Sequence, residues 1–251
     1  MPTSQSQSED ARATDARFEP TGWTLVLAAA ENPDSPGAVA ALERLCQNYW
    51  RPVYAFLRRE GYAQHDAEDL VQGFFAFVCE KQALRRVQRE KGKFRSFLLA
   101  ALRNYVADQR DKVHALKRGG GMTFVAIDLP REEEQCSVEL VDRFDPERVF
   151  HRRWAQTLMS AVVSDLEADY GMREKGILYS ELNQFLFDKK TEVSRSDLAQ
   201  RLGIAGATLD VEVYRLKQKF GQLLRRKVAE TVSNAAEIDA EIRELFAAFR
   251  E

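Results

Sequence analysis

Apolar residues recur every three or four positions along almost the whole of this chain and hardly anywhere in alternation. That spacing belongs to helices with one buried face. Only 122–127 (MTFVAI) alternates as a strand would, directly after Gly119, Gly120 and Gly121. The pattern therefore predicts an all-α protein. Helices are expected near 23–30, from Pro36 to Gly61 with Pro52 as a kink, over Asp66–Cys79, and over Gly92–His114. A further block opens at Asp145-Pro146, with Pro at a helix-start position, and runs through Trp154, Leu158, Val162 and Leu166. Helices over Lys175–Phe187, Ser194–Leu202, Ala207–Lys227 and Ala235–Phe249 complete the expectation. A chain of 251 residues has room for two small helical domains.

Charge divides the chain in the same way. The total is only -2, which excludes a histone-like polycation and an acidic disordered tail. Within it, 81–118 holds twelve basic residues against three acids, and 128–147 holds eight acids against two. Residues 192–227 hold eight basic against four acidic, and 228–251 six acidic against two basic. Two basic blocks, each followed by an acidic one, fit two polyanion-facing modules with acidic connectors. They fit solvated helix faces as well. The expected organisation is a disordered N-terminus over 1–20, a first helical unit over 21–118, an acidic linker over 119–144, a second unit over 145–227, and an amphipathic C-terminal helix over 228–251.

Other classes find little support in the residues. No apolar run reaches the ~20 residues that span a bilayer, and 1–20 lacks the apolar core of a secretory signal. Cys46, Cys79 and Cys136 are odd in number and far apart, which fits a reducing cytoplasm without disulfides. They and His65, His114 and His151 offer no metal-ligand spacing. No carboxylate has His or Cys company at a catalytic spacing, and no glycine loop lies between a strand and a helix. No catalytic residue and no cofactor is expected.

Three segments carry more than helicity. In 65–72 (HDAEDLVQ), Asp66 and Asp69 suit a helix N-terminus, where acids complement the dipole. Leu70, Phe74, Phe77 and Val78 then step along an inward stripe, with Val71 and Phe75 as a second apolar strip beside the acids. An apolar strip next to acids is also what a protein-docking face looks like. In 91–112, Phe94, Phe97, Leu98, Ala101, Leu102, Tyr105, Val106 and Gln109 form a core face. Arg95, Leu99, Arg103 and Arg110 are expected away from it, behind a basic loop containing Arg85, Arg86, Arg89, Lys91 and Lys93. Arginine and asparagine there suit phosphates and base edges. In 194–227, Ser194 caps a short helix, Gly203 ends it, and a longer helix follows with Leu209, Val213, Leu216, Phe220 and Leu224 inward. This is the pattern of a helix-turn-helix, shared with simple helical hairpins.

In this order the segments resemble the bacterial RNA polymerase sigma factors of the sigma-70 family, extracytoplasmic-function group. The resemblance rests on Asp66-Ala67-Glu68-Asp69-Leu70-Val71-Gln72, then Phe94-Arg95, Leu98, Arg103-Asn104, Asp108 and Arg110, and then Leu198-Ala199, Leu202-Gly203-Ile204, Thr208, Arg215 and Leu223-Leu224. It covers about 21–227. It implies a region 2-like bundle and a region 4-like helix-turn-helix joined by an acidic linker. It implies that Asp66, Glu68, Asp69, Leu70, Gln72 and Phe75 bind core RNA polymerase. It further implies that Arg95, Arg103, Asn104 and Arg110 meet the minus-ten element of promoter DNA, where a captured unstacked base gives both melting and sequence choice. Thr208, Arg215, Lys217 and Lys219 would contact the upstream element. An anti-sigma factor or another regulator would be a further partner, with no membrane partner and a cytoplasmic location.

Two features depart from that family. Asp210 and Glu212 stand where its recognition helix carries basic or small polar residues. A tail beyond Lys227 adds Ile238, Ile242, Leu245, Phe246 and Phe249 on one helix side. The tail either completes its own domain's core or covers a basic DNA-facing surface until released. The competing functions are a helix-turn-helix DNA regulator that does not use polymerase, and a sigma-like adaptor that binds a protein partner without recognising DNA.

Overall fold

The computed structural model describes residues 36–80, 93–116, 145–187, 194–232 and 234–250. Among them all regular structure is helical. The α-helices are α1 (Pro36–Arg59), α2 (Gln64–Glu80), α3 (Phe94–Leu116), α4 (Pro146–Met172), α5 (Gly176–Leu182), α6 (Arg195–Leu202), α7 (Gly206–Ala229) and α8 (Ile238–Ala247). Short 3-10 turns at Asn183–Phe185 and Ala235–Glu237 extend α5 and precede α8. The expected strand at 122–127, the helix near 23–30, the N-terminal stretch 1–20, the linker 119–144 and the basic loop residues Arg85 to Lys91 lie outside the described residues.

The helix ends follow local chemistry. After α1, Gly61 takes φ 95°, a left-handed conformation that only glycine adopts without strain. The Gly61 and Tyr62 amides then donate to the Arg58 and Leu57 carbonyls at 3.1 and 3.2 Å. The Ser194 hydroxyl accepts from the Ser196 amide at 3.2 Å and caps α6. Gly203, at φ 65°, ends that helix and sets the turn into α7. Pro52 lies buried inside α1, and the helix continues through it. Asp66 falls within the first turn of α2 rather than at its cap, because the helix begins two residues earlier.

One buried cluster runs from Leu45 to Leu245, so the chain before and after the expected linker shares a core. Its axis is the pairing of α1 with α4, the most extensive between any two elements. Tyr49 of α1 shows why: its ring meets Phe94 of α3 edge-on at 5.5 Å and stacks on Phe150 of α4 at 6.4 Å. Tyr49, Phe150, Leu57 and Leu158 are all fully buried, and each such side chain contributes roughly 1.5–3 kcal/mol. α2 covers another side of α1 and carries α3, while α4 carries α7 and α8. The periodic positions Trp154, Leu158, Val162 and Leu166 face this core as expected.

Two registers differ from the expected ones. On α2 the fully buried line is Ala67, Val71, Phe74, Phe75 and Val78, with Leu70 and Phe77 half-buried at its edges. The apolar strip containing Val71 and Phe75 is thus the core face and not a strip beside it. On α3, Arg95 and Leu99 are buried with Phe94, Leu98, Leu102 and Val106. Arg95, Leu98, Leu99, Leu102 and Val106 form a single stripe at helical spacing, and the C-terminal half meets it at Arg95.

Candidate functional site

The first candidate surface is the N-terminal half of α2. Asp66 is exposed, and Glu68, Asp69, Leu70 and Gln72 are partly exposed. Gln64 Nε2 donates to Glu68 Oε1 at 3.2 Å, and His65 Nδ1 lies 3.2 Å from Asp69. The His65 pKa is raised, first by a backbone hydrogen bond and then by the Asp69 carboxylate. The result is an acidic surface bordered by Leu70. Phe75, expected on this surface, is only 1% exposed and supports it from beneath.

The second candidate surface is α3 with its flanks, and here the expected DNA-facing cations are engaged within the chain. Arg95 is the clearest departure. Its Nε and Nη2 donate to the two carboxylate oxygens of Glu241 at 2.9 and 2.8 Å, and Nη2 also reaches Glu244 at 2.7 Å. Nη1 lies 3.0 Å from His151 Nδ1, and the guanidinium stacks over the Trp154 ring at 4.5 Å. Arg95 therefore does not face solvent as expected. Lys93 joins the cluster, 2.6 Å from Glu241 and 2.5 Å from Glu244. Burial works against the Arg95 charge, but the bonds and charges of the two glutamates outweigh it and raise its pKa. Burial also favours the protonated form of Glu244, and the bonds from Lys93 and Arg95 outweigh that, so its pKa is lowered.

The remaining α3 residues are more open. Arg103 is exposed and pairs with Glu147 at the start of α4 at 2.7 Å. Arg110 donates to Glu60 at 2.7 Å and to the Tyr62 hydroxyl at 2.9 Å. Asn104 is exposed. Solvent-exposed pairs of this kind contribute only about 0–1 kcal/mol and exchange readily. Sequence reasoning missed Glu241, Glu244, His151 and Trp154 as partners of this surface.

His151 makes the cluster sensitive to acid. Burial first, and the Arg95 charge second, lower its pKa from 6.5 to about 4. Lys93 adds to that effect, while Glu241 and Glu244 oppose it. At neutral pH the ring is uncharged and its Nδ1 can accept from Arg95. Between these two values the unfolded chain binds a proton that the folded chain does not. Stability is therefore complete above about pH 7 and falls as pH drops from 6.5 towards 4. Urea unfolding at pH 7.5 and at pH 5 should show a lower midpoint in acid. His151→Gln keeps an acceptor without the titration and should flatten that difference.

The third candidate surface is the α6–turn–α7 unit. Leu198, Leu209, Val213, Leu216 and Leu224 are buried, and Leu202 and Phe220 are half-buried. On α7, Thr208, Arg215 and Lys217 are exposed and Lys219 is half-buried. Arg215 pairs with Glu212 at 2.8 Å, and Lys219 with Asp169 of α4 at 2.9 Å. Asp210 pairs with Arg195 of α6 at 2.6 Å, tying the two helices together. Val211 and Tyr214 are exposed on the outer side of α7.

The acidic surface of α2 and the cations of α3 lie on neighbouring helices of one segment. Residues 45–114 match the family model of Sigma-70 region 2. The chain carries a sigma-70 region 2 domain. The match takes in most of α1, all of α2 and nearly all of α3, a little more than a quarter of the chain. It supports a place in the sigma-70 family. No curated protein and no solved structure matches the chain. Around region 2, no described helix is long and apolar enough to cross a membrane. Among the described residues, no group of three or more His, Cys, Asp or Glu is placed to hold a metal ion.

Proposed function

We propose that this chain is a sigma factor of the extracytoplasmic-function group, which binds core RNA polymerase and directs promoter recognition, DNA melting and transcription initiation. The observation that carries this reading is the region 2 match, together with the open acidic surface of α2 inside it. Asp66, Glu68, Asp69, Leu70 and Gln72 form the polymerase-binding surface, with Phe75 holding α2 in register from the core. Arg95, Arg103, Asn104 and Arg110 serve the minus-ten element. The α6–α7 unit serves the upstream element through Thr208, Arg215, Lys217 and Lys219. The first unit spans 21–118 and the second 145–227, in a cytoplasmic protein that does no bond chemistry of its own.

In vitro transcription with core polymerase and a promoter library tests the reading. Initiation that depends on the protein supports it; no dependence on any promoter sinks it. Asn104 offers the sharper version, because it is exposed on α3 and amide groups pair with base edges. Asn104→Ala should lower open-complex formation about tenfold, the effect of one lost base contact of about 1–3 kcal/mol. It should leave polymerase affinity unchanged. Equal losses in both would count against a melting role.

A second reading is a sigma-like adaptor that binds polymerase but does not read DNA. It is favoured by the carboxylates along α6 and α7, where Asp210 and Glu212 stand beside Arg195 and Arg215. Tight core binding without initiation on any promoter would select it.

A further inference from the structure

The buried ion cluster joins two parts of the chain that are 146 residues apart in sequence. On one side are Lys93 and Arg95, at the entrance to α3. On the other are Glu241 and Glu244 of α8. We propose that α8 is an in-chain clamp: its two carboxylates occupy Lys93 and Arg95 as a phosphate group would, and so withhold this end of α3 from nucleic acid until the helix lets go. The proposal rests on the reading that α3 meets DNA.

Three observations carry it. The first is the placing of Glu241. It lies on the apolar side of α8, between Ile238 and Leu245, and is fully buried. A lid that only closed a core would hold as well or better with leucine there, because a buried ion pair gains little over well-packed apolar groups. What the glutamate adds is recognition of the two cations opposite. The second is the form of the contact. The Glu241 carboxylate engages Arg95 through both oxygens and Lys93 at 2.6 Å. Bidentate guanidinium contacts of this kind are also how arginine binds phosphate. A phosphate and α8 would therefore compete for the same donors.

The third is that α8 is lightly held. It has ten residues, Leu245 is its one buried apolar side chain, its Ile238 and Ile242 are only half-buried, and Phe246 and, just past its end, Phe249 are 39% and 37% exposed. A further charged tie, Arg225 to Asp239 at 2.5 Å, is on the surface. Few buried apolar contacts mark an element that opens at modest cost. A site that is open only part of the time binds with an affinity reduced by the open fraction. Closing the clamp nine-tenths of the time therefore weakens binding about tenfold.

The test uses the full chain, no polymerase, and a fluorescein-labelled single-stranded DNA oligonucleotide, with binding read by anisotropy. Glu241→Gln with Glu244→Gln should tighten binding about tenfold, and Glu244→Gln alone about threefold. Glu167→Gln removes the same charge from the exposed side of α4, away from the clamp, and should leave binding unchanged. If neither clamp variant tightens binding, or if Glu167→Gln does so equally, the proposal is overturned. If the double variant does not fold, Glu244→Gln decides alone: its side chain is 54% exposed and fills no core. Unchanged binding in that folded protein overturns the clamp. Promoter-dependent initiation without any gain in oligonucleotide binding would strike the clamp and leave the sigma reading standing. A gain without initiation would strike the sigma reading and leave the clamp.

Discussion

Reversing Asp66 and Asp69 together to lysine should lower affinity for core RNA polymerase on the order of a hundredfold, with helix content unchanged. Both side chains lie on the open face of α2, and neither enters the buried line of Ala67, Val71, Phe74, Phe75 and Val78. Their replacement therefore removes no packing. It places two cations where the proposed interface presents two acids, and like charges across an interface cost several kcal/mol in a complex. The fold loses only a dipole interaction in the first turn and the His65–Asp69 pair, in which the His65 side chain is 86% exposed. Affinity for immobilised core enzyme and far-UV circular dichroism together check the prediction. Retained affinity would remove the docking role from α2.

Phe150→Ala should destabilise the whole described fold by about 3–5 kcal/mol, the usual cost of emptying a phenylalanine site in a core. Phe150 is fully buried near the N-terminus of α4 and stacks on Tyr49 of α1. Because Tyr49 also meets Phe94, the lost ring loosens α1, α3 and α4 together. The informative part is the form of the transition. One shared core predicts a single unfolding transition moved to lower denaturant, as seen by both tryptophan fluorescence and circular dichroism. Two transitions, one of them unmoved, would mean that α1–α3 and α4–α8 unfold as separate units.

The helices were legible in the sequence because each reports its own period. The stripe through Trp154, Leu158, Val162 and Leu166 needed no knowledge of its partner, and Gly203 and Ser194 marked the ends of α6 by backbone chemistry alone. Less legible was which surface another helix covers. Arg95 sits at helical spacing with Leu98, Leu99, Leu102 and Val106, and Glu241 with Ile238 and Leu245. Each is a charged residue on an apolar stripe. Read singly, each charge suggests solvent, because burying an unpaired charge is prohibitive. Read as a pair across 146 residues, the two charges satisfy one another. No local period carries that pairing. The acidic surface of α2 was visible from spacing, but the register of its apolar side was not. Val71 and Phe75 turn into the shared core, on a helix that packs against α1.

The same intramolecular pairing has a consequence for how salt would act on nucleic-acid binding. A free lysine or arginine that takes a DNA phosphate releases a condensed cation from the DNA, and affinity then falls steeply with ionic strength. Here Arg103 starts with Glu147, Arg110 with Glu60, and Lys93 and Arg95 with Glu241 and Glu244. Each phosphate that wins an arginine strands a carboxylate, which then attracts a cation from solution. Uptake at the protein offsets release at the DNA. The logarithm of affinity should therefore fall with the logarithm of salt more gently than the number of basic residues at the interface would suggest. Removing the acidic partners should steepen it.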